Sequence, residues 1–175
     1  MKNSLFVLAA AFVFFGSGSA ALAYQIPGPV VVDNASVLGT GEVDFTRPSV
    51  VEGTFSVDRL SGEEVYVTAG DVANGASGYG FIVQNDMLYA VSSDGGLFAR
   101  RMPLGFVFPG QAIHVVALYT PNDAIRIDTD TVSSVFKSYS RGIVMDTLPS
   151  LRFAPAFSAK AKNATATVGS WSYAQ

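Results

Sequence analysis

Asp128 and Asp130, in "IRIDTDT", are the acidic pair best spaced for shared chemistry. Alternation along a strand places residues i and i+2 on one face, and glycoside cleavage needs two carboxyls facing one bond. The same residues also read as a solvated strand end whose charge discourages edge pairing. Glu63 and Glu64 are adjacent and would point to opposite faces of a strand. His114 is the only histidine, so a histidine-centred triad would have to use it. It sits among Ile113, Val115 and Val116, and no Gly-x-Ser-x-Gly nucleophile elbow accompanies it. That context favours a packed or rim histidine over a general base. With no cysteine there is no thiol nucleophile, thiolate metal site or disulfide. These residues favour a protein that is not an enzyme.

Binding chemistry has more candidates. Calcium needs only oxygens from Asp, Asn and backbone carbonyls on loops. Asp71 and Asn74 in "GDVANGASG", Asn122 and Asp123 in "TPNDA", and Asp94 in "SSDGG" supply such oxygens, although turn residues also bond their own backbone. Sugar recognition requires exposed aromatics beside polar groups. Tyr79, Tyr89, Tyr119, Tyr139 and Trp171 are the aromatics considered, with Asp94 as a polar neighbour. Trp171 alternates with Ser170 and Ser172, as a half-buried strand residue would, which favours a core position for it. Asn34-Ala35-Ser36 and Asn163-Ala164-Thr165 match the N-glycosylation acceptor pattern and predict surface positions for Asn34 and Asn163.

The elements that must position these groups follow a leader. "MKNSLFVLAAAFVFFGSGSAALA" has a positive start, an apolar run from Leu5 to Phe15 and a small-x-small end at Ala21-Leu22-Ala23. It reads as a secretory signal-peptide helix, residues 1–23, cleaved before Tyr24. The apolar run falls short of the roughly 20 residues of a membrane span. Of 175 residues, 152 remain as one domain, 24–175. Ten of the 11 basic residues remain against 14 acidic ones, a net charge of −4. The basic pairs, Arg100-Arg101 and Lys160/Lys162, form no concentrated face, which argues against nucleic acid and anionic lipid as partners. The expected location is extracellular or cell-surface.

Past the leader, apolar residues recur every second position in short runs broken by Gly, Pro, Asn and Asp. Strands are expected at Val30–Asp33, Glu42–Phe45, Val51–Val57, Val65–Ala69, Ala112–Thr120, Ala124–Thr129, Leu151–Ala156 and Ala166–Tyr173. Tyr79–Val83 and Met87–Val91, joined by Gln84-Asn85-Asp86 and reversed again at Asp94-Gly95, predict a three-stranded meander ending near Met102. The strand containing His114 is apolar on both faces and should be central. Thr131–Gly142 reads equally as strand, loop or a helical turn. The fold class is all-β: a two-sheet antiparallel β-sandwich.

In order and spacing, "VVEGTFSV", "GYGFIVQNDMLYAV", "PGQAIHVVALYTPNDAIRIDTD" and "ATVGSWSYA" resemble concanavalin A-like lectin/glucanase jelly rolls of the laminin G-like type. The resemblance covers about Val50 to Tyr173. Ile113 stands where an aromatic often precedes the histidine, and Asp128-Thr129-Asp130-Thr131 replaces an Asp-Gly hairpin. The resemblance implies a lectin-like module that binds carbohydrate or a cell-surface polymer in an adhesion role. Glycosidases of that superfamily carry a Glu-x-Asp-x-x-Glu run on one strand, and this chain has none. A structural alternative comes from "YQIPGPVVVDNAS", Tyr24–Ser36. An apolar strand at a free terminus either pairs in its own sandwich or adds to a neighbour's sheet edge and builds a filament.

Overall fold

The period-two pattern becomes two face-packed antiparallel sheets in the computed structural model, which describes residues 23–58, 64–95, 99–121, 124–131, 141–144 and 154–175. For 23, 124–131 and 141–144 only the backbone is described. The strands are β1 (Ala23–Gln25), β2 (Val30–Asp33), β3 (Ser36–Leu38), β4 (Glu42–Val43), β5 (Ser49–Val57), β6 (Glu64–Gly70), β7 (Ser77–Gln84) and β8 (Met87–Asp94). They continue with β9 (Arg100–Phe106), β10 (Ile113–Tyr119), β11 (Ala124–Thr131), β12 (Arg141–Val144), β13 (Ala154–Pro155), β14 (Ser158–Lys162) and β15 (Thr165–Ala174). The seven-stranded sheet runs β1-β15-β5-β10-β11-β12, with β2 also on β15, and the six-stranded sheet runs β3-β14-β6-β7-β8-β9. β4 and β13 form a separate short pair.

The core lies between the sheets and follows from alternation. β5 turns Val51, Phe55 and Val57 inward, β10 turns Ile113, Val115, Ala117 and Tyr119, and β7 turns Tyr79, Phe81 and Val83. On β15, Ala166 and Val168 are buried, and so are Trp171 and Tyr173, which have the opposite parity. A register shift between Val168 and Ser170 reconciles them. One extra residue in a strand reverses which side chains face the core. Without this bulge the largest core side chain would stand outside.

The meander is present as β7-β8-β9, and its first turn places Asn85 at φ 49° and Asp86 at φ 61°. Positive φ at both central residues suits the right-handed twist of a tight hairpin, and Asn and Asp tolerate it. β10 is central, between β5 and β11. No long helix occurs among the described residues; Val72–Asn74 is a single 3₁₀ turn. It lies over the outer face of the six-stranded sheet. Gly78 makes the room: a Cβ there would lie 2.9 Å from Val72 Cγ2 and 2.3 Å from the Ala69 carbonyl oxygen.

β3 and β14 are among the strands that were not expected. β3 is three residues long, and β14 reads "SAKAK", whose Ala and Lys carry no strand preference. Pairing with β6 on one side and β3 on the other makes β14 a strand. The N-terminal segment completes its own sandwich. Ala23–Gln25 pairs with Ser172–Ala174, and Val30–Asp33 with Thr165–Val168. Ile26 and Val32 are buried. Of the two arrangements expected for Tyr24–Ser36, the chain shows pairing within its own sandwich. Residues 132–140, most of Thr131–Gly142, lie outside the described residues, as does Leu151–Phe153 of the strand expected at Leu151–Ala156.

Candidate functional site

The outer face of the six-stranded sheet carries a second, smaller apolar cluster. Val72, Ile82 and Val91 are buried there, with Tyr66, Tyr89 and Ala99 partly buried against them. The register sets them in line. Lys160 on β14 pairs with Tyr66 on β6, Tyr66 with Ile82 on β7, Ile82 with Tyr89 on β8, and Tyr89 with Pro103 on β9. Two partly exposed tyrosines thus flank a buried isoleucine in one row across the strands. In the next row Glu64, Gln84, Met87 and Phe106 pair in turn, and Phe106 is 58% exposed at the sheet edge.

Polar side chains close a ring beside this platform. Gln84 Nε2 donates to Glu64 Oε1 at 2.6 Å, and Arg101 Nη1 donates to Gln84 Oε1 at 2.5 Å. Arg101 Nη2 donates to the Tyr66 hydroxyl at 3.2 Å, and that hydroxyl donates to Glu64 Oε2 at 3.4 Å. The ring orients the Gln84 amide, since its oxygen must accept from Arg101 and its nitrogen must donate to Glu64. Burial, then the Glu64 charge, raises the Tyr66 phenol above its ordinary pKa, with Arg101 pulling the other way. Tyr66 therefore stays a neutral donor and acceptor between two opposite charges.

Beside the ring, Asp71 and Asn74 do come together, as the calcium reading required. Asn74 Nδ2 donates to Asp71 Oδ2 at 2.7 Å, and Ser158 Oγ donates to Asp71 Oδ1 at 3.2 Å. Lys160 Nζ donates to Asn74 Oδ1 at 2.8 Å. The cation at this turn is the Lys160 ammonium, and the amide nitrogen of Asn74 faces the carboxylate, an arrangement that uses the oxygens a calcium ion would need. Asn122 and Asp123 lie outside the described residues. Asp94 is exposed at the end of β8, opposite Ser77.

Two proposed ligand-contacting aromatics, Tyr79 and Tyr119, are corrected, and Trp171 takes the core position that its alternation favoured over ligand contact. Tyr79 and Trp171 are 0% exposed and Tyr119 is 2% exposed, so none can stack on a ligand. Tyr79 and Tyr119 stack on each other at 5.4 Å, with Phe45 edge-on to both. Their polar ends are satisfied inside: Tyr79 shares a 2.8 Å hydrogen bond with Ser49, Tyr119 donates to the Phe45 carbonyl, and Trp171 Nε1 donates to the Ala156 carbonyl. Tyr139 lies outside the described residues. Of the proposed aromatics among the described residues, Tyr89 alone reaches the outer platform. Tyr66 was not proposed, although "EEVYVTA" already set it opposite Val65 and Val67.

His114 sits on the outer face of the seven-stranded sheet, its Nε2 3.0 Å from Glu52 Oε1, both partly solvent-exposed. In register Asp130 lies opposite His114, and Asp128 opposite Val116. Asn34 and Asn163 are both exposed and both at positive φ. They face each other: the Asn163 backbone N–H donates to Asn34 Oδ1 at 3.0 Å.

No family model matches the sequence, and no curated protein matches it. Solved structures do resemble the fold. The chain is similar to arcelin-5, a lectin-like defence protein from Phaseolus vulgaris, with a TM-score of 0.56 at 9% identity, covering 89% of this chain and 98% of that one. It is similar to a chain of botulinum neurotoxin type C, a toxin that depends on two ganglioside molecules to get into cells (TM-score 0.57, 7% identity, 87% of this chain, 42% of that one). It is also similar to a xylan β-1,4-xylosidase from Bacillus halodurans (TM-score 0.52, 11% identity, 80% and 32%). The chain spans less than half of the toxin and about a third of the xylosidase. At such identities the likeness establishes the fold alone: a jelly-roll β-sandwich of concanavalin A-like type.

Proposed function

We propose that this protein is a secreted, non-catalytic binding module that recognises carbohydrate on a cell-surface polymer through the outer face of its six-stranded sheet. The carrying observation is the row Tyr66-Ile82-Tyr89 beside the Glu64-Gln84-Arg101-Tyr66 ring. Partly exposed aromatic faces suit pyranose stacking, and fixed donors and acceptors beside them suit hydroxyls. The lectin-like and ganglioside-dependent proteins among the structural neighbours support this reading. The xylosidase neighbour keeps hydrolysis as a competitor.

The mature protein, exported and purified, is applied to a glycan array with and without calcium. Binding that Tyr89→Ala abolishes while the far-ultraviolet spectrum stays unchanged is the expected result; an array blank in both conditions overturns the reading. Polysaccharide turnover lost in the Asp128→Asn/Asp130→Asn double variant would make the protein a hydrolase. Secretion has its own check, since mass spectrometry of the exported chain should find Tyr24 first.

A further inference from the structure

The spacing and charge of the platform point to a narrower ligand class than carbohydrate in general, a step that rests on the carbohydrate function proposed for this face. Tyr66 on β6 and Tyr89 on β8 are separated by one strand, hence by two strand spacings, about 10 Å. That is the span of two linked sugar rings. Between them Ile82 is 0% exposed, and the groups that reach this middle position are polar: Arg101 extends from β9 across β8 to Gln84 on β7 and Tyr66 on β6.

We propose that the face binds an uncharged linear glycan lying across β6, β7 and β8. Alternate sugar rings stack on Tyr66 and Tyr89, and the ring between them is held by Arg101, Gln84 and Glu64. A sugar hydroxyl is both donor and acceptor, and the network offers both. The guanidinium has five N–H donors, of which the ring uses two, and each Glu64 oxygen accepts one ring hydrogen bond with lone-pair capacity to spare.

Charge balance selects against acidic sugars. Arg101 is tied through Gln84 and Tyr66 to Glu64, and Lys160 through Asn74 to Asp71, so these two cations each have a carboxylate in their own network, and Lys162, a further cation on the face, lies opposite Glu64 in register. A ligand carboxylate or sulfate at Arg101 would also meet Glu64, on a mature domain of net charge −4. A neutral hydroxyl carries no such repulsion.

The test is calorimetric titration of the mature protein with neutral gluco-, manno- and galacto-oligosaccharides from monomer to hexamer, alongside the matching oligouronates. Affinity should rise at least about tenfold from monomer to trimer and then level off, with neutral chains bound more tightly than uronates. Tyr89→Ala should erase the gain with length. Arg101→Met, an exposed change that leaves the apolar cluster in place, should weaken trimer and hexamer together. Equal affinity for monomer and hexamer, or preference for uronates, overturns this inference and leaves the carbohydrate reading standing. No binding by any of these sugars, with an array blank as well, overturns both.

Discussion

Arg101 on β9 hydrogen-bonds the Tyr66 hydroxyl on β6 at 3.2 Å, across the two strands β7 and β8. Strands stand about 4.8 Å apart, so three spacings alone separate the two Cα positions by more than about 14 Å and both side chains must lie along the sheet to meet. Tyr66 packs against the apolar cluster of Val72, Ile82 and Val91, and with Glu64 and Gln84 the two side chains tie four strand residues into one ring.

Members of one ring act as a unit. Arg101→Met and Gln84→Leu should each change unfolding free energy by less than about 1 kcal/mol, since Arg101 is exposed and Gln84 only partly buried. Each should weaken glycan binding about tenfold, and the double variant should lose little more than either single one. A double-mutant cycle by calorimetry checks this, and full additivity would show that the ring does not operate as a unit.

Tyr79 and Tyr89 should separate stability from binding. Tyr79→Phe leaves the buried Ser49 hydroxyl without its 2.8 Å partner, at a cost of about 1–2 kcal/mol, or a fall in Tm of roughly 3–6 °C. Glycan affinity should not move. Tyr89→Ala should do the reverse, which thermal melts and titration of the same two variants will show.

Removing residues 24–33 should damage the fold. The deletion strips β1 and β2 from β15 and removes buried Ile26 and Val32, each worth about 2 kcal/mol of apolar burial. The uncovered β15 edge would also invite pairing between molecules. Urea unfolding should show a loss of at least about 4 kcal/mol, and light scattering should show aggregates. A monomer of unchanged stability would contradict the pairing.

Alkali should unfold the protein through its buried tyrosines. Burial raises Tyr79 well above its ordinary pKa and Tyr173 to about 12. A phenol that holds its proton longer when folded stabilises fully below the unfolded pKa near 10 and loses that stability as pH rises towards the folded value. Each such tyrosine should remove about 1.4 kcal/mol per pH unit over that window. Denaturant midpoints at pH 9, 10 and 11 should fall only beyond pH 10, and Tyr173→Phe should flatten the decline.

Much of the fold was legible because local rules carried it. Asn85-Asp86 specified a hairpin by its tolerance for positive φ, and Val65-Val67-Ala69 declared an inner face without reference to any other strand. β14 was not legible, since Ala159 and Ala161 become core only when β6 and β3 close around them. The site was read less well. Density of aromatics marked Tyr79 and Tyr119, which fill the interior, whereas Tyr66 stood in plain alternation on the outer face.

By itself the sequence determined that the described residues past the leader are mostly strand punctuated by turns, because alternation and turn chemistry are set by covalent geometry within a few residues. Only the tertiary structure decided which aromatics meet solvent. Facing depends on register, on the one-residue bulge at Gly169 that turns Trp171 inward, and on the strand order that brings Arg101 over Tyr66. Those are relations between distant parts of the chain, and no short stretch contains them.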